Sequence, residues 1–158
     1  MTISSLPASI TRLLDAGGIG DHDDRLRTRP AALVWSPLEY LAHTGDAIDW
    51  YRGRVRRVLS EDRPILAGFD WDAHTAGQNY HQRHLTDVLG DVRRVCTSFA
   101  ALLATLDPAD WQRAGTGSDG GSRTIAHLVH RAAHEARHHR HDITSALNTP
   151  LMGDPFHD

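Results

Sequence analysis

Four stretches of this chain carry apolar residues at helical spacing, and almost nothing between them alternates as a strand would. The clearest runs from about Gln78 to Leu106, where Leu85, Val88, Leu89, Val92, Val95, Phe99, Leu102 and Leu103 share one face of a 3.6-residue helix. Asp107-Pro108 stops it, because proline disfavours helical backbone in the residue before it. Another opens at Ser36-Pro37-Leu38-Glu39: an N-cap serine, a proline at the first helical position and a glutamate that completes a capping box predict a helix to about Ser60. A shorter one spans Leu6 to Asp15 and ends at Gly17 to Gly20, with Asp23 to Arg29 open between loop and helical turn. The last runs from about Ser122 to Leu147. Apolar stripes of this kind bury themselves against one another, so the expected fold is all-α, an antiparallel four-helix bundle.

The segments between fit that architecture. Glu61 to His74 holds Pro64, Gly68, Phe69 and Trp71 and reads as an ordered loop; Gly115 to Gly121 is a turn; Asn148 to Asp158 is a surface tail. The expectation is one domain over residues 1–158, with its core over about 30–147 and a short N-terminal helix and loop over 1–29. A chain of 158 residues buries a core without staples, and its single cysteine, Cys96, has no partner for an internal disulfide. Cys96 sits within the apolar stretch Val95 to Leu103 and reads as a structural thiol. The net charge is −3 and all 17 basic residues are arginine, which is unlike the basic footprint of a nucleic-acid binder. Arg54, Arg56 and Arg57 read as a solvated helix face. No apolar run reaches the length of a membrane span, and Met1 to Ile10 lacks the features of a secretory signal, so no membrane partner and a cytoplasmic location are expected.

The 12 histidines are the compositional anomaly. In the last helix, His134-Glu135-Ala136-Arg137-His138-His139-Arg140-His141-Asp142 places His134 and His138 four residues apart, one above the other, so both imidazoles can address one ion. The same residues match the His-Glu-x-x-His pattern in which the glutamate is a general base, making Glu135 the candidate catalytic residue. A protease is disfavoured, since few residues follow for a further ligand and no strand is evident to hold a peptide. His43, two turns into the capped helix, is the best-placed third donor. At 100° per residue, Ile125, Val129, Ala132, Ala136, Ile143 and Leu147 form an apolar face with His134 and His138 opposite it, and His43 lies opposite Leu38, Leu41, Ile48, Val55 and Leu59. Two readings stay open on spacing alone: histidines turned to solvent, or two helices sharing a polar groove beside the core.

The start Trp35-Ser36-x-x-Glu39-x-x-x-His43, the segment Asp110-Trp111-x-Arg113-x-Gly115 with its Gly-rich turn, and the closing His134-Glu135-x-x-His138-His139-x-x-Asp142-Ile143 together resemble the DinB/YfiT-like superfamily over about Pro30 to Leu147. That resemblance implies a four-helix bundle holding one divalent metal ion, zinc, nickel or iron among the candidates, through His43, His134 and His138. It also implies a metal-dependent enzyme that activates a low-molecular-weight thiol cofactor, of S-transferase or isomerase type, acting on a small-molecule substrate. Metal-assisted hydrolysis of a small ester or amide, and a non-enzymatic metal-binding stress-response protein, are the alternatives. His127, His130 and His141 lie on the same side of the last helix as the proposed ligands and read as groove or surface residues. His139 points away from the ligand pair and reads as structural or exposed. His74, His81 and His84 gather near the start of the third long helix, where a lid or a weak second metal site is conceivable. Asp46, Glu135 and Asp142 are positioned to accept imidazole N–H groups or handle protons, and pairing into a homodimer is compatible with the two-faced helices.

Overall fold

A computed structural model describes residues 2–149; Met1 and residues 150–158, which include most of the expected tail, lie outside the described residues. Six helices are α1 (Leu6–Ala16), α2 (Asp24–Arg27), α3 (Pro37–Ser60), α4 (Trp71–Gly77), α5 (Leu85–Leu103) and α6 (Ile125–Asn148). Helices α1, α3, α5 and α6 form the four-helix bundle, with α3 packed against both α5 and α6. That central position explains why α3 buries residues all round its axis. Its Gly45 faces α5 closely enough that an added Cβ would stand 3.2 Å from Val92 Cγ2. The core joins Leu6 and Ile10 of α1, Leu38, Leu41, Ile48 and Val55 of α3, Phe99 of α5, and Ile125, Leu128 and Ile143 of α6. Full burial of such side chains contributes about 1.5–3 kcal/mol each before conformational entropy is counted.

The start of α3 forms as its sequence implies. Ser36 Oγ accepts the Glu39 amide and Glu39 Oε2 accepts the Ser36 amide, at 3.3 Å and 2.8 Å. Arg29 adds a two-pronged ion pair to the same carboxylate, its Nε 2.8 Å from Oε2 and its Nη2 2.5 Å from Oε1. Burial pushes Glu39 up, but the hydrogen bonds from Arg29 and Ser36 outweigh it and hold the carboxyl below its ordinary value. Asp23 to Arg29, left open in the sequence, contains α2, capped by Asp23 Oδ1 on the Arg25 amide.

Three expectations change. Helix α5 begins at Leu85 and not Gln78: Asn79 turns the chain with a left-handed φ of 49°, and the orphan Leu85 amide is taken by Asp21, 2.6 Å away from another part of the chain. Glu61 to His74 is not free of regular structure, since it holds β1 (Ile65–Leu66) and the start of α4, which Asp70 caps through the Ala73 amide. A small sheet also forms: β1 lies parallel to β2 (Ala114–Gly117), which lies antiparallel to β3 (Ser122–Thr124). Strands of two to four residues are too short for alternation to show in sequence. They also consume Ser122 to Thr124, so α6 starts at Ile125 with Thr124 as its cap.

The sheet accounts for the Arg113-x-Gly115 segment. A Cβ on Gly115 would stand 2.7 Å from the Pro64 carbonyl oxygen and 2.8 Å from Leu66 Cγ, so β1 and β2 meet only over glycine. Arg113 Nη2 donates to the Leu59 carbonyl at 2.8 Å, and the Arg113 carbonyl accepts the Ile125 amide at 2.9 Å, linking the end of α3 to the start of α6. Cys96 is buried and unpaired, and burial alone pushes its thiol up to about 11, in keeping with a structural role. No described helix is long and apolar enough to cross a membrane.

Candidate metal centre

His43 projects from the second turn of α3 toward α6, and only 7% of it is exposed. Its ring is surrounded edge-to-face by Trp35, Trp71 and His139, each with centroids 4.9 Å away. Trp71 is supplied by α4, so the short helix absent from the sequence reading forms one wall of the site. Burial, reinforced by the neighbouring His139, holds the His43 imidazole down to about 4. It is therefore neutral at physiological pH, the form with a lone pair to donate.

His139 is buried beside it, contrary to the reading that set it aside as pointing elsewhere. The reason lies in helix geometry: His139 follows Ala132 by seven residues and Ala136 by three, and precedes Ile143 by four, so it belongs to the stripe that α6 turns to the core. His139 Nδ1 lies 3.0 Å from Asp142 Oδ2, an interaction that fixes the ring with Nε2 directed the other way. Glu135, one turn earlier on the same face, places Oε2 3.7 Å from that Nε2, while its Oε1 accepts from Arg131 Nη2 at 3.1 Å. His43, Glu135 and His139 line a common cavity of about 310 Å³ with Trp35, Trp50, Tyr51, Trp71 and Arg131. Among the described residues, His43 Nδ1 and His139 Nε2 are both buried without a hydrogen-bond partner.

Of the three ligands expected from sequence, only His43 stands in this cavity. His134 and His138 lie on the outer face of α6 with 49% and 60% of their side chains exposed, their rings stacked on each other at 6.1 Å. Bringing them to His43 would require α6 to turn by roughly 100°, one residue's worth of helix, and would expose the Ala132, Ala136 and Ile143 stripe. The four-residue spacing therefore occurs twice in register, as His134/His138 outside and Glu135/His139 inside. Placing the spacing on the core stripe, rather than opposite it, is the sequence signal that identifies the inner pair. His127, His130 and His141 are exposed.

The third histidine group is divided among separate tasks. His74 Nε2 lies 2.9 Å from Asp46 Oδ2, which also accepts the Tyr80 hydroxyl at 2.5 Å. Burial and the Asp46 carboxylate push the Tyr80 hydroxyl well above its ordinary range, so it stays a donor. His84 instead pairs with Asp21, and His81 is exposed. The Asp46 cluster ties α4 to α3 and so supports the Trp71 wall.

Among known proteins, the profile of the DinB superfamily matches residues 13–143. The solved structure of YfiT from Bacillus subtilis, described as a probable metal-dependent hydrolase with an unusual four-helix bundle topology, matches with a TM-score of 0.79 at 18% identity. The match covers 91% of this chain and 81% of that one, and at this identity it speaks for the fold. No curated protein matches.

Proposed function

Because this chain belongs to the DinB superfamily, we propose that it is a divalent-metal-dependent enzyme whose ion is held by His43, Glu135 and His139. The observation that carries this reading is the pair of buried, partnerless imidazole nitrogens, His43 Nδ1 and His139 Nε2, beside a carboxylate at the wall of one cavity. Leaving a buried polar atom unsatisfied costs about 1–3 kcal/mol, a cost that coordination removes. Two imidazoles and a carboxylate are the donor set of open catalytic zinc sites, and nickel or iron suits the same donors. Glu135 Oε2 and His139 Nε2 stand 3.7 Å apart, while the ligand atoms of His43, Glu135 and His139 do not all lie within 4.8 Å of one another, so closing on an ion requires these side chains to turn inward.

When bound, such an ion supplies Lewis acidity and an open position at which water or a thiol becomes a stronger acid. The protein's own groups prepare the place. Burial keeps His43 neutral, Asp142 fixes the tautomer of His139, and Arg131 restrains Glu135. Trp35, Trp50 and Trp71 supply an apolar wall that suits a small substrate. The reaction class this arrangement fits best is hydrolysis of a small ester or amide, as in the probable metal-dependent hydrolase named for YfiT. Glu135 then serves as a ligand and not as the general base. Activation of a small thiol cofactor for transfer is the second reading; Arg131 at the cavity wall offers such a cofactor's carboxylate a partner, and the inert, buried Cys96 is not that thiol.

Metal analysis of untagged protein purified without chelator tests the proposal. Wild type should retain one tightly held ion per chain, and His43→Ala, His139→Ala and Glu135→Gln should each lose it. Retention at wild-type level in both histidine variants would refute the centre. A Glu135→Gln protein that keeps its ion but loses turnover would return Glu135 to the role of base. Assays of the loaded enzyme with ester, amide and thiol-conjugation substrates separate the two reaction classes.

A further inference from the structure

The outer face of α6 carries a second set of donors that the buried centre does not use. His134 and His138 stack nearly parallel, with ring centroids 6.1 Å apart and planes at 20°. One turn further along, Asp142 Oδ2 lies 3.0 Å from His138 Nδ1. An imidazole nitrogen about 2.0–2.1 Å and a carboxylate oxygen about 2.0–2.2 Å from one ion, at angles of about 90–109°, stand about 2.8–3.5 Å apart. The His138–Asp142 separation thus already equals the edge of a coordination sphere. Among the described residues, His138, His139 and Asp142 are the one group of three whose possible ligand atoms all lie within 4.8 Å of one another. His139 is occupied on its Nδ1 side by Asp142 and buried on its Nε2 side; His134 lies outside that 4.8 Å group, and its exposed ring has to turn toward His138 and Asp142 to complete an outer set.

We propose that His134, His138 and Asp142 form a second, solvent-facing site for a divalent transition-metal ion such as zinc, nickel or copper. His134, His138 and Asp142 follow one another at four-residue steps on the same side of α6, so His138 is the central donor, and His134 must change rotamer to reach an ion held between His138 and Asp142. Borderline donors of this kind favour these ions over magnesium or calcium, which take oxygen. Asp142 is shared: its Oδ2 faces His138 outside and His139 inside, both at 3.0 Å. Occupancy of the outer site draws on the carboxylate that orients His139, so affinities at the two positions are coupled, and reciprocally so. The outer site does not depend on the buried centre being a metal site.

Calorimetric titration of metal-stripped, untagged full-length protein with zinc, repeated with nickel, tests this. Wild type should take up two equivalents of differing affinity. The double variant His134→Ala/His138→Ala should lose the weaker equivalent and keep the tighter, and His43→Ala should do the reverse. Both outer histidines are exposed, so a wild-type circular dichroism spectrum is expected for the double variant. Asp142→Asn should weaken both equivalents, which separate, unlinked sites would not show. Full uptake by the double variant, or a single wild-type equivalent that only His43→Ala abolishes, would overturn the outer site. One equivalent lost in the double variant and untouched by His43→Ala would uphold it and refute the buried centre instead.

Discussion

Removing the Glu39 carboxylate should weaken the platform that carries His43, and by an amount the local geometry sets. Glu39 is 6% exposed at its side chain, accepts two-pronged donation from Arg29 and closes the capping box on the Ser36 amide. A hydrogen bond to a charged group is worth about 1.5–3 kcal/mol. Arg29 is 46% exposed and rehydrates when freed, which places its share near the lower end, about 2 kcal/mol. Loss of the cap adds about 1 kcal/mol. Glu39→Ala should therefore cost about 3 kcal/mol, whereas Glu39→Gln, which keeps an acceptor for Ser36 and loses only charge, should cost about 1 kcal/mol. For a chain of this size the alanine variant corresponds to a fall in Tm of about 6–12 °C. Urea denaturation of metal-free protein measures both. The pH dependence has a definite sign: the folded carboxyl is held below its ordinary 4.5, so its contribution is full above that value and is lost as pH falls through the lowered one. The gap between wild type and Glu39→Ala should narrow under strongly acidic conditions. Equal stability of the alanine and glutamine variants, or a gap that widens in acid, would refute this account.

Gly115→Ala should destabilise by about 1–3 kcal/mol, because the new methyl meets the Pro64 carbonyl and Leu66; a neutral result in chemical denaturation would mean that β1 can retreat without cost. Cys96 should resist a thiol-reactive chromophore in the native protein and react fully in denaturant, and rapid native labelling would contradict its burial. Trp71→Ala should let the His43 pKa rise from about 4 toward its ordinary 6.5, as followed by NMR of metal-free protein, since the change removes part of the burial that depresses it. An unshifted titration would show that α4 is not the wall that matters. Phe99→Ala, which empties a fully buried position of α5, should cost about 3–5 kcal/mol in the same denaturation assay.

Much of the fold was legible in the sequence because its signals are local. The Ser36-Pro37-Leu38-Glu39 start of α3 satisfies its own orphan amides within four residues, and the α5 stripe from Leu85 to Leu103 repeats often enough to declare its period. His43, which the family-like segments single out, stands beside His139 of α6. What stayed hidden depends on contacts between distant residues. The cap of α5 comes from Asp21, the wall over His43 comes from the short α4, and the three strands gain their hydrogen bonds only by meeting one another.

The rotation of α6 is the decisive case. Local patterning is enough to establish that this helix forms, where it starts within a few residues, and that acid and imidazole side chains recur on it at four-residue steps. Whether His134/His138 or Glu135/His139 turns inward is a difference of one residue, and the core stripe that decides it runs through Ala132 and Ala136, whose small side chains give little hydrophobic signal. Those alanines matter through what they permit, the close approach of α6 to α3, and only the packed structure shows that approach placing His139 beside His43 and leaving His134 and His138 in solvent.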